Sequence, residues 1–396
     1  MNDRDERLYL DHNASAPLIP EARDAAIAAL ALANPSSTHR EGRAARAVCE
    51  DARRSLARLV GGKAETIASE NLVFTSGATE AANQLLSPRW LIDGEPADIR
   101  HLAVIETDHP ATREGGHFDP AAVTRLPVDR DGVVDLGALA EWTALASESG
   151  PAMLAFSWAN SETGVIQPLA AIRGIIEDKP IRLVLDAAQI GGRLPIDLAA
   201  SGADAIILSG HKLGSLKGAG AIALKTLSTR PFALHRGGGQ ERGMRPGTEA
   251  LPAIASFGAA AKVAIERGAM SAQGFQSKRA LLEDEIAAAL PDAVILGKDA
   301  ERLPNTVAIM HPDIKAETAQ IALDLAGIAV SAGSACTSGK VGPSHVVAAM
   351  AKAGLAIDPG LGAIRVSFGA ETDETALRRF VSQYARLARR ASARAA

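Results

Sequence analysis

Lys212 lies in the stretch SGHKLGSLKGAG, which directly follows a short apolar run, Ala205-Ile206-Ile207-Leu208. Lysines usually lie on helix faces with the ammonium in water. A lysine at the end of a buried strand is instead poised to lose its proton and attack a carbonyl. The reaction that fits is Schiff-base formation with an aldehyde such as pyridoxal phosphate. That chemistry needs an anion cup, a partner for a pyridine nitrogen and a group over the ring.

Each need has a candidate. Phe74-Thr75-Ser76-Gly77-Ala78-Thr79-Glu80 reads as a strand, a tight turn and a helix start. Backbone N–H groups at such a helix start favour an anion. Ala78 supplies one of them, and Thr79 can add a hydroxyl. Ser209 and His211, on either side of Gly210, can donate to the same phosphate. A plain capped helix is the alternative. Asp186 ends the apolar run Leu183-Val184-Leu185, and a buried carboxylate needs a cationic or hydrogen-bonding partner. A pyridinium would satisfy it and strengthen the ring as an electron sink; an N-cap role is the alternative. Gln189 lies three positions on and would reach a ring hydroxyl if the turn after the strand curls back. His109, after Glu106-Thr107-Asp108, can stack on a ring and shuttle protons.

Cys336 lies in Ser331-Ala332-Gly333-Ser334-Ala335-Cys336-Thr337-Ser338-Gly339. Small residues throughout predict a flexible, exposed loop, where a thiol is more use for reaction than for packing. Cys49, on a helical stretch, reads as packing. The run His235 to Gly243 is glycine-rich, but Arg242 stands where the third glycine of a dinucleotide fingerprint belongs. A nicotinamide site is therefore rejected.

The elements that must place these groups alternate. Apolar strands over 72–75, 102–105, 153–156, 183–185 and 206–208 are separated by Ala-rich helical stretches. This βαβ rhythm predicts an α/β fold with a mostly parallel sheet covered on both faces, and ligands beyond the strands' carboxyl ends. After about residue 260 the texture changes. A long helix from about Ala261 to Leu290 stops at Pro291, and strands over 305–309 and 363–368 suggest a smaller α+β unit.

Length and composition set outer bounds. The chain has 396 residues, which predicts roughly two domains, and 47% are hydrophobic, enough for a large core. A net charge of -4 argues against nucleic acid as a partner. No apolar run is long enough to span a bilayer, and the charged start MNDRDERLYL lacks a secretory apolar region, so no membrane partner and a cytoplasmic location are expected. Two cysteines permit neither a disulfide framework nor a cysteine-based zinc site, and no metal is expected.

The motifs TSGATEAAN, TDHPA, ANSETGVIQP, LDAAQ, SGHKLG, GGGQERGMRPGTE and SAGSACTSG occur in this order over essentially the whole chain. Together they resemble the pyridoxal-phosphate-dependent cysteine desulfurases, in the NifS/IscS branch of the class V aminotransferase group, fold type I. The resemblance implies a seven-stranded large domain over 15–260 and a small domain built from 1–14 and 261–396. It implies that Lys212 carries the cofactor, Asp186 pairs with the ring nitrogen, Gln189 binds the ring hydroxyl and His109 stacks on the ring. Ala78, Thr79, Ser209 and His211 would hold the phosphate, and Thr248 would reach the phosphate of a second subunit in a homodimer. Arg365 and Asn34 would bind the carboxylate of L-cysteine. Cys336 would take the sulfur as a persulfide, release alanine, and pass the sulfur to an acceptor protein or small thiol for iron–sulfur cluster or other sulfur-cofactor synthesis.

Two departures stand out. Ser161 occupies the place of an asparagine that contacts the ring hydroxyl side. The chain also stops soon after its last helix, without the longer tail that housekeeping members use for docking, which leaves the acceptor open. A selenocysteine lyase, another class V aminotransferase or a non-catalytic cofactor-binding scaffold are the alternatives.

Overall fold

The computed structural model describes residues 7–62, 67–333 and 343–395. A seven-stranded sheet forms its centre, in the order Leu72–Thr75, Gly220–Leu224, Ala205–Ser209, Ile181–Asp186, Ala152–Ser157, His101–Ile105, Val123–Leu126. Gly220–Leu224 runs antiparallel to both its neighbours, and the other adjacent pairs are parallel.

The short apolar runs become strands because both of their faces are covered. Alternate residues point to opposite sides of a sheet. Phe74, Ile105, Leu154, Leu185 and Leu208 enter one core. Val73, Val104, Met153, Val184 and Ile207 enter another, across the sheet. Strands buried on both faces read as continuous apolar runs, which is why they stand out in the sequence.

The later part of the chain builds a four-stranded sheet, Val294–Ile295, Thr306–Met310, Ile364–Ser367 and Ser331–Ala332. Leu8–Tyr9 pairs in parallel with Ile328–Ala329, and Leu10 joins a core with Phe275, Val307, Ile364, Phe368 and Phe380. The long helix begins at Leu251 rather than near Ala261, and ends at Ala289. Pro252 is harmless there because the first turn needs no N–H partner at that position. The helix breaks at Gly268, whose φ of 42 and ψ of -139 suit glycine. No helix among the described residues is long and apolar enough to cross a membrane.

Candidate active site

The strand ends converge on one cavity of about 510 Å³. Its lining includes Ala78, Thr79, His109, Ser161, Asp186, Gln189, Ser209, His211 and Lys212. Ser209 and Asp186 each close a strand of the parallel part of the sheet, so the cavity lies where ligands collect in α/β folds. Lys212 follows Ser209 in a single 3₁₀ turn. Its Nζ donates to the carbonyl oxygens of Asn13 and, at 2.9 Å, Ala14.

Asp186 is 7% exposed. Its Oδ1 accepts from Ala188 N at 2.9 Å. Burial raises its pKa above the ordinary range, opposed by that N–H and by the nearby His109 and Lys212. The carboxylate thus has a local turn contact and still calls for a cation. His109 caps the short helix Pro110–Arg113, with Nδ1 accepting from Ala111 N at 3.1 Å. The neutral ring therefore carries its proton on Nε2. Burial lowers the His109 pKa. His211 is pushed down to about 4 by burial and by the nearby Lys212, Lys217 and Arg193, so it donates as a neutral imidazole.

Gly77 occupies the position before the helix Ala78–Leu85, and no side chain hydrogen-bonds to the helix start. The Glu80 carboxylate, which would repel an anion, is turned to Ser76 N at 2.8 Å and Arg245 Nε at 2.9 Å. Gln189 donates from Nε2 to Asn13 O at 3.0 Å, while its Oε1 is buried without a partner among the described residues. A buried orphan acceptor marks a place for a ligand hydroxyl. Asp186 calling for a cation, Gln189 Oε1 lacking a donor and an uncapped helix N-terminus fit a ring nitrogen, a hydroxyl and a phosphate on one molecule. Pyridoxal phosphate has all three.

Other expected residues lie elsewhere. Arg365 is 1% exposed and does not line this cavity. It sits behind the cavity wall, donating from Nη1 to Ser161 O at 2.8 Å and from Nη2 to Asp11 Oδ1 at 2.6 Å. Its Nε is buried without a partner among the described residues, a donor still available to a carboxylate. Asn34 is exposed, with Oδ1 accepting from Ser36 N at 2.8 Å, and is not brought to the cavity. Thr248 is also exposed and away from the cavity. Cys336 falls outside the described residues. Cys49 is buried, and desolvation pushes its thiol up to about 12, which leaves it inert.

Asn13 is the residue that sequence reasoning missed. Its carbonyl accepts from both Lys212 and Gln189, and its Nδ2 donates to Thr306 Oγ1 at 2.9 Å and to Ser161 O at 3.3 Å. The signal was the polar cluster Asp11-His12-Asn13 directly after the apolar Leu8-Tyr9-Leu10.

A parallel sheet whose lysine turn, buried aspartate and open helix start enclose one cavity defines a fold type I pyridoxal-phosphate enzyme. The chain belongs to the class-V aminotransferase family, which matches residues 8–380. It is similar to a protein of Cereibacter sphaeroides named cysteine desulfurase, with 37% identity covering 87% of each chain. It is also similar to the cysteine desulfurase NifS of Azotobacter vinelandii, 33% identical over 95% of this chain and 91% of that one. The X-ray structure of a NifS-like protein from Rickettsia africae superposes with a TM-score of 0.84 at 27% identity, covering 96% of this chain and 99% of the other.

Proposed function

We propose that this enzyme is a cysteine desulfurase that converts L-cysteine to L-alanine and holds the sulfur as a persulfide on Cys336. The carrying observation is where the described chain on either side of the thiol-bearing segment lies. Its two described flanks, Gly333 and Ser344, both adjoin Glu162, the residue after cavity-lining Ser161.

When bound, pyridoxal phosphate withdraws electrons from the substrate Cα. Asp186 holds the ring nitrogen, the N-terminus of Ala78–Leu85 with Thr79, Ser209 and His211 holds the phosphate, and Lys212 binds the cofactor and then carries the Cα proton on Nζ. Arg365, whose Nε has no partner among the described residues, would take the substrate carboxylate from behind the cavity wall; Asn34, expected to assist, is exposed away from the cavity in this chain. His109 orients the ring and relays protons through Nε2. The Cys336 thiolate forms a bond to the substrate sulfur as the Cβ–S bond breaks. The electron pair from that bond goes to the carbon skeleton, which takes up two protons in all on its way to alanine. The sulfur then passes to an acceptor thiol.

We further propose a homodimer in which the exposed Thr248 serves the phosphate of the second subunit, and a division into a unit over 15–260 and another built from 1–14 and 261–396. Separate apolar cores support that division. A cytoplasmic location fits a mechanism that needs a reduced thiol. The test is turnover with L-cysteine and a reductant. Alanine and sulfide should form in equal amounts without any keto acid. Cys336→Ala should abolish both, and a requirement for a keto acid would favour an aminotransferase instead.

A further inference from the structure

Lys212 lines a second cavity, of about 350 Å³, besides the one described above. Small residues leave the room: Gly191 and Gly192 on one wall, Ala260 and Ala264 of the long helix on another. Ile19, Leu213, Val263 and Phe275 add apolar surface. Phe275 meets Phe368 edge to face, with ring centres 6.2 Å apart. A volume and a lining of this kind suit a small ligand.

The charges of the lining do not cancel. Arg193 and Arg267 share it with a single carboxylate, Glu371, among the described residues. Glu371 Oε1 lies 3.2 Å from His12 Nε2 and is thereby engaged. Arg193 is 7% exposed and forms no ion pair among the described residues. Its Nη1 donates to Gln189 O at 2.8 Å and its Nη2 to His12 O at 3.3 Å. These two carbonyl oxygens orient the guanidinium without neutralising it. Its Nε and the remaining Nη hydrogens are left for an acceptor, among the described residues. Burial and the nearby charge of Arg365 lower the Arg193 pKa to about 10, so it stays charged at neutral pH. A buried cation is costly without a counter-charge, and packing alone would be met by an apolar side chain.

We propose that this cavity binds a small aliphatic carboxylate, at a place separate from the substrate's, with the carboxylate on Arg193 and the hydrocarbon against Val263 and Phe275. Inorganic phosphate would match the charge and leave the apolar walls unused. Arg193 is bonded to Gln189 O, and His12 precedes Asn13, whose carbonyl accepts from both Lys212 and Gln189. The ligand would thus adjoin the groups that surround Lys212.

The test is calorimetric titration of the purified holoenzyme with sodium butyrate, against butyramide as the uncharged counterpart. Butyrate should bind saturably, and butyramide roughly tenfold more weakly or worse, because the charge-assisted hydrogen bonds are lost. Arg193→Met should weaken butyrate binding by roughly tenfold or more, and Arg193→Lys should restore part of it. Ala264→Leu narrows the cavity and leaves Arg193 in place. It should abolish butyrate binding with the cofactor's visible absorbance unchanged, which keeps the proposal testable if Arg193→Met does not fold. Butyrate held at the substrate's place would instead compete with L-cysteine and survive Ala264→Leu, and that result would overturn the proposal. Equal affinities for butyrate and butyramide would do the same, as would no saturable binding of butyrate. The binding readout needs no turnover, so failure of the desulfurase reading and failure of this site are told apart.

Discussion

Burial pushes the Glu162 carboxyl up to about 7 from its ordinary 4.5, against the Ser344 hydrogen bond and the charge of Arg365. The folded chain therefore keeps a proton there that the unfolded chain has already lost. Between those two values the folded state binds more protons, so this group's contribution to stability falls as pH rises and is lowest above pH 7. Replacing Glu162 by Gln removes the charge. The variant should gain stability relative to wild type by roughly 3 kcal/mol at pH 8, with little difference at pH 4.5. Urea unfolding at the two pH values checks this, and an equal difference at both would contradict it. Ser161→Asn should lower the apparent pKa of the cofactor's visible absorbance band, because the longer side chain can hold the ionised ring oxygen more directly. A pH titration of both proteins decides, and superimposable curves would mean that residue 161 does not touch the cofactor. Lys212, Asp186 and Ser209 were legible in the sequence because each closes or follows an apolar strand. Asn13 and Glu162 were not, because their partners are distant in the chain: Lys212 and Gln189 for one, Gly333 and Ser344 for the other.

Among the elements, Gly220–Leu224 is the strand that the βαβ rhythm hid. It follows a glycine-rich turn and runs against its neighbours. Gly220 pairs with Thr75 on one side and Ser209 on the other, so one residue sets the register of both the anion turn and the lysine turn. A Cβ on Gly220 would stand 2.5 Å from the carbonyl carbon of Gly77, and backbone cannot swing aside as a side chain can. Gly220→Ala should therefore displace the start of Ala78–Leu85 and weaken cofactor binding more than tenfold, on the order of 1.4 kcal/mol or above. Loss of yellow colour during dialysis measures it, and retention equal to wild type would refute it. The glycine-rich stretch rejected as a nucleotide motif has a structural use. Glu241 accepts from Arg53 at 2.7 and 2.8 Å and from Phe74 N at 2.8 Å, which bolts that stretch to the first strand of the sheet. Nothing in its glycine spacing discloses this, since the partner arginine lies far upstream.

At the scale of the whole molecule, the proposed dimer makes a prediction that a single chain does not. If Thr248 serves the other subunit, a mixed dimer of Lys212→Ala and Thr248→Ala chains contains one site with both residues intact. That site should bind cofactor as tightly as wild type, whereas the Thr248→Ala homodimer should bind it more weakly. Cofactor titration of the purified mixed dimer checks this, and affinity no better than the Thr248→Ala homodimer would place Thr248 in its own chain's site or in none. The pairing of Leu8 with Ile328 has a different consequence, one of timing. A ribosome adds roughly 5–20 residues per second. The N-terminal strand must therefore wait on the order of tens of seconds for its partner to be made. Asn13, whose carbonyl accepts from Lys212 in the finished protein, cannot be locked in place until then. Ala14 and Ser15, which line the cavity beside Lys212, are therefore tethered to a strand whose partner is synthesised long after the central sheet's own strands.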